Sequence, residues 1–127
     1  MSVLDTSAEF FCEKLLNDIR DVNHGMESLK FFKRNATTVL IWLFVIDSYT
    51  KKKIINIEDI AREIALVKKI SKPSLRLILE SAKEKGFLKF THNKKDTRSW
   101  IIEPEIKTLT EFNAWVKKFN ISTSIYH

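Results

Sequence analysis

Glycine and proline are scarce in this sequence, with two of each in 127 residues. Both punctuate turns and loops, so their scarcity excludes a loop-rich fold and favours long regular elements, helices above all. One cysteine, Cys12, excludes an internal disulfide and fits a reducing, cytoplasmic setting. Its neighbours Phe10, Phe11 and Leu15 predict a small buried apolar side chain there rather than a reactive thiol. The longest apolar run, Val39 to Ile46, is far too short to span a bilayer, so no membrane association is expected. The N-terminus shows no cationic stretch before an apolar core, so no signal peptide is expected either. His24, His92 and His127 are scattered, with no second ligand at helical or loop spacing to Cys12, and no metal site is expected. Two glycines cannot build a phosphate-cradling loop, and no serine sits in a nucleophile-like turn. Neither catalysis nor a cofactor is expected.

What is present is an ordinary globular composition, 44% apolar and 30% charged, in a length suited to a single domain. The 22 basic and 16 acidic residues leave a net charge of +6. That excess is concentrated. From Lys51 to Arg98 there are 14 Lys/Arg against 6 Asp/Glu, a net of +8, while the rest of the chain is slightly acidic. A basic surface confined to the middle of a chain is the footprint of an anionic, nucleic-acid partner. A solvated face beside a neutral core is the plainer alternative.

Periodicity predicts a helical protein with one hairpin. Thr6 or Ser7 can cap a first helix whose stripe of Phe11, Leu15, Ile19, Val22, Met26 and Leu29 forms one long helix, or two meeting near Asn23-His24-Gly25. Asn35 opens a second helix, "ATTVLIWLFVIDSY", apolar almost all round and therefore central. "IIN", 54–56, suits a short strand. Asn56 then caps a third helix with Asp59 at its third position, and Ile57, Ile60, Ala61 and Ile64 face inward. Ser71 caps a fourth, with Pro73 in its first turn, Leu75, Ile78, Leu79 and Ala82 inward, and Gly86 as its stop. "FLKFTH" and "SWIIE" flank the tip "NKKDTR" as a hairpin. After Pro104 a last helix places Ile106, Leu109, Phe112, Val116 and Phe119 on one face. The expected fold is mainly α with a small β-hairpin wing: a winged helix-turn-helix over 35–103, flanked by an N-terminal helical region (1–34) and a C-terminal helix (104–127). In such a fold the helix at 71–86 enters the major groove and the wing at 87–103 meets the minor groove or backbone.

From Ile57 to Ile102 the sequence resembles the MarR family of winged-helix transcription factors. "SKPSLRLILESAKEKGFLKF" is similar to that family's recognition helix running into its first wing strand, and "KKDTRSWII" to its wing. The resemblance implies that Arg98 reaches a minor groove while Asp96 braces the tip, accepting hydrogen bonds from nearby backbone or from Arg98. It departs from the family in three places. The stretch from Ala61 to Ser71 is about one helical turn longer and lacks the usual turn glycine. Leu77 stands where many relatives carry an arginine, with Arg76 one residue earlier. Only 25 residues follow Ile102, too few for the two C-terminal helices that usually build the dimer interface.

The leading expectation is a sequence-specific regulator that binds double-stranded DNA. Ser71 and Ser74 would approach phosphates or base edges, Lys72 would lie beside them at the helix start, and Arg76 would read guanine. Lys94, Lys95 and Arg98 would supply salt-sensitive affinity. A homodimer through the first and last helices is expected. The resemblance also makes a small aromatic effector conceivable near Phe32, Trp42, Phe44, Phe112 and Trp115, although filling a core or a dimer seam is the simpler use of those rings. Two other classes remain open: a winged-helix protein-interaction module, and a nonspecific architectural DNA binder.

Overall fold

The computed structural model describes residues 3, 5–21, 26–96 and 98–119. Six helices and one antiparallel hairpin follow in the order α1 (Thr6–Arg20), α2 (Glu27–Phe32), α3 (Ala36–Thr50), α4 (Ile57–Ala65), α5 (Lys72–Glu84), β1 (Leu88–His92), β2 (Trp100–Pro104) and α6 (Ile106–Lys117). This is a winged helix-turn-helix with flanking helices.

Side-chain chemistry sets the boundaries of most elements. Asn35 and Asn56 each close a reciprocal capping box, with Thr38 and Asp59 respectively at the third helical position. Ser71 caps α5 by accepting from the Ser74 N–H. Gly86 ends the α5 segment at φ 79°, in the left-handed region that favours glycine. The Phe87 N–H then returns to the Ala82 carbonyl at 2.9 Å, so the chain leaves the helix and enters β1 within two residues. β1 and β2 pair with Leu88 opposite Pro104, Phe90 opposite Ile102 and His92 opposite Trp100.

α3 is the centre of the fold. Ile41, Trp42, Val45 and Ile46 are buried, and they pack with Leu29 and Phe32 of α2, Ile60 and Ile64 of α4, Leu75 and Leu79 of α5, and Ile102 of β2. The inward residues expected for α4 and α5 are buried or partly buried in this cluster.

Four expectations are corrected. Asp5, not Thr6 or Ser7, caps α1, its carboxylate accepting from the Ala8 N–H at 2.9 Å. Cys12 is exposed, on the side of α1 that also carries Leu16 and Ile19 in solvent. Residues 54–56 do not form a strand of the ladder; Ile55 contributes one carbonyl to the Ile102 N–H at 2.9 Å before the Asn56 cap turns the chain into α4. On α6 Leu109 and Phe112 pack on the core as expected, but Ile106 and Val116 face outward, and Thr108 and Trp115 take the inward positions beside them. The buried Thr108 hydroxyl is satisfied by donating to the Phe87 carbonyl at 2.7 Å. Residues 22–25, where one long helix or two were open, lie outside the described residues; α1 ends at Arg20 and α2 begins at Glu27.

Candidate nucleic-acid interface

α5 carries its apolar stripe inward and leaves the opposite side bare. Ser71, Lys72, Ser74 and Arg76 are all exposed. The two serine hydroxyls share a hydrogen bond of 2.8 Å, and Ser71 also holds the first turn by accepting from the Ser74 N–H at 3.2 Å. Lys72 is paired with Glu58 of α4, an exposed contact that water screens. Arg76 has no ion pair among the described residues. The N-terminal turn of α5 therefore combines the positive end of a helix dipole, two exposed hydroxyls and a nearby guanidinium, an arrangement suited to anions.

The wing tip is shaped by its own side chains. Asn93 Oδ1 accepts from the Lys95 N–H at 3.0 Å, and Asp96 Oδ1 from the Arg98 N–H at 3.1 Å. Two successive side-chain-to-backbone turns of this kind bend a chain without glycine. The Asp96 carbonyl accepts from Ser99 N–H at 3.1 Å, and the Ser99 carbonyl accepts from Asn93 N–H at 3.3 Å, which closes the loop. Arg98 Nε lies 3.8 Å from Asp96 Oδ1, while the guanidinium side chain stays 94% exposed. Lys94 and Lys95 are exposed, with no ion pair among the described residues.

Sequence reasoning missed three contacts that hold the wing. Asn93 is the first of the two tip braces. His92 and Trp100, cross-strand partners at the end of the ladder, bring their rings to 4.3 Å. Asn56, besides capping α4, donates through Nδ2 to the Ser99 hydroxyl at 3.2 Å and so ties the wing base to the helix-turn-helix. The Asn-x-Lys and Asp-x-Arg repeats were a legible signal for the tip, because an Asx side chain commonly accepts from the N–H two residues on. Nothing local marks the Asn56–Ser99 bond, which joins positions 43 residues apart.

Four of the five aromatic residues considered for a ligand site pack on one another, and Phe44 is partly buried against the core. Trp42 lies against Phe32, Phe112 and Trp115, with ring centroids 5.1–6.2 Å apart. Beside them is a feature that composition did not suggest. Asp18 of α1 is 6% exposed, and its Oδ2 accepts from Trp115 Nε1 at 2.9 Å and from Lys33 Nζ. Lys118 Nζ lies 3.7 Å from Oδ1. Burial and the nearby Lys118 charge push the Lys33 ammonium below the usual lysine range. A second seam joins α2 to α6. Ser28 donates through N–H and Oγ to Glu111, and Lys107 pairs with Glu27 at 2.9 Å.

Among the described residues no group of three His, Cys, Asp or Glu side chains is placed to hold a metal, and no helix is long and apolar enough to cross a membrane.

No protein-family model matches the chain, and no curated protein sequence matches it. Solved structures do. YusO from Bacillus subtilis is similar over 99% of this chain and 84% of its own, at 14% identity and a TM-score of 0.55. A variant of MepR from S. aureus bound to an oligodeoxyribonucleotide matches 88% of this chain and 80% of its own, at 14% identity and 0.59. The transcriptional regulator Tm0710 from Thermotoga maritima matches 89% and 76%, at 13% identity and 0.57. At such identities the likeness establishes the fold alone, a winged helix-turn-helix.

Proposed function

We propose that this winged helix-turn-helix protein is a transcriptional regulator that binds double-stranded DNA in a sequence-specific manner. α5 would enter the major groove with Ser71, Lys72, Ser74 and Arg76, while the wing carries Lys94, Lys95 and Arg98 onto the minor groove or its phosphates. One observation carries this reading: Arg76, Lys94 and Lys95 are exposed on the two elements that such a fold directs at DNA, and none has a carboxylate partner among the described residues. Cations left unpaired inside a chain that pairs others are suited to an external anion. The oligonucleotide bound to the MepR variant shows a protein of similar fold with such a ligand.

The regulator is a symmetric homodimer in this proposal, with α1 and α6 at the seam. Phe10, Phe11, Leu16 and Ile19 on α1 and Ile106 and Val116 on α6 are exposed large apolar side chains, the kind of surface a second copy would cover. Two reading helices would then lie about 34 Å apart, one turn of B-DNA.

Selection of bound duplexes from a random-sequence pool at near-physiological salt tests both parts. An enriched palindrome is the expected result. Binding without enrichment would favour an architectural DNA binder, and no binding a protein-interaction module. Sedimentation showing only a 14.9 kDa species at micromolar concentration would refute the dimer.

A further inference from the structure

The outward face of α5 is not simply basic. Leu75 and Leu79 are 0% and 1% exposed, whereas Leu77 is 68% exposed. Pro73, four residues earlier and therefore directly above it on the helix, is exposed too. The two form a short apolar ridge along the middle of the outward face, bordered by the exposed side chains of Arg76 and Glu80. A lone exposed leucine means little by itself. Its position is what matters, because leucine adds nothing to phosphate binding and Glu80 opposes it. A helix used only to adhere to the DNA backbone would carry cations at both places, as the wing does at Lys94 and Lys95.

We propose that Leu77 is a specificity-determining residue that recognises the 5-methyl group of a thymine in the major groove, next to the base that Arg76 contacts. This inference rests on the DNA-binding reading above. Of the features that base pairs display in the major groove, the thymine methyl is the apolar one, and apolar side chains are its recognised partners. Leu77 and Arg76 are both exposed on the outward side of α5, within reach of one recognition site. Glu80, one turn beyond Arg76, suits an amino donor of this groove, a cytosine N4 above all.

The test uses the full chain and a site enriched from the random pool. Each thymine is replaced singly by deoxyuridine, which removes the methyl group and keeps the pairing edge. Wild-type protein should lose about fourfold in affinity at one thymine of the recognised site, the effect of burying roughly one methyl group. Leu77→Ala should bind the thymine and deoxyuridine versions of that position equally, with its melting temperature unchanged because the side chain is exposed. Arg76→Ala should keep the deoxyuridine penalty. Sequence-selective binding without a deoxyuridine-sensitive thymine, or with a penalty that survives in Leu77→Ala, would overturn the inference and leave the regulator reading intact. Absence of selective binding in the pool would remove both.

Discussion

Two regions of this molecule treat their cations in opposite ways. Where α1, α2 and α6 meet, Lys33, Lys107 and Lys118 are all matched to carboxylates of the chain, and Asp18 is buried to make the match. On the outward side of α5 and the wing, Arg76, Lys94 and Lys95 have no such partner among the described residues, and Arg98 is held near Asp96 yet stays almost fully exposed. The first arrangement neutralises charge to bring helices together. The second keeps charge in solvent, which costs little there and leaves it free for a partner. Charge counting along the chain does not separate the two.

The sharpest way to break the comparison is at Asp18. Removing it leaves Lys33 part-buried without its counter-ion and Trp115 Nε1 without an acceptor. Asp18→Ala should therefore destabilise the fold by about 3 kcal/mol, the low end for breaking a buried pair because Lys33 and Lys118 keep some solvent. Thermal unfolding should show a midpoint lower by roughly 10 °C. An unchanged midpoint would mean that the helix junction does not depend on internalised charge.

Arg76→Ala should do the reverse. Its melting temperature should match that of the wild type, while affinity for the enriched duplex falls by about 1–3 kcal/mol and discrimination relaxes at one base pair. A fall in stability with unchanged binding would put Arg76 with the structural cations.

At the wing, Arg98→Ala and Asp96→Ala should both weaken DNA binding, each by on the order of 1 kcal/mol. The sign for Asp96 is the informative one. Removing a negative charge ought to strengthen attraction to DNA, but Asp96 also accepts the Arg98 N–H that shapes the tip. Tighter binding by Asp96→Ala in a fluorescence titration would show that net charge outweighs tip geometry. Lys94→Ala and Lys95→Ala should act more weakly and alike on all sequences, each reducing the slope of log affinity against log salt by about one unit.

The smallest expected effect concerns Glu27. Its hydrogen bond and charge pairing with Lys107 hold its carboxyl below the ordinary value of 4.5. A carboxyl depressed on folding stabilises the fold above that ordinary value and loses its contribution as pH falls through the lower, folded-state one. Glu27→Gln should thus lower stability slightly at neutral pH and flatten the acid limb of stability against pH, wild type and variant converging in acid.

Local features were legible in the sequence wherever their cause is local. Asn35, Asn56 and Ser71 cap helices because each side chain meets an N–H three residues ahead, and Gly86 stops one because a left-handed residue is needed there. The hairpin was legible from its aromatic and β-branched flanks, and α3 from being apolar all round. Orientation was less so. On α6 the middle of the expected stripe, Leu109 and Phe112, packs on the core, while its ends Ile106 and Val116 are exposed and Thr108, bonded to the Phe87 carbonyl across the chain, is buried instead. Cys12 was expected to be buried among phenylalanines, and those rings are themselves half-exposed on α1.

What the sequence determined by itself is the order of elements, their caps and the concentration of charge between Lys51 and Arg98, because each depends on residues a few positions apart. The tertiary structure alone decided which cations are consumed internally. Asp18 meets Lys33, Trp115 and Lys118, partners 15 to 100 positions distant, and Asn56 meets Ser99. Burial and ion pairing depend on distance in space and on how much water is excluded, and neither is fixed by neighbours along a chain until the helices have packed.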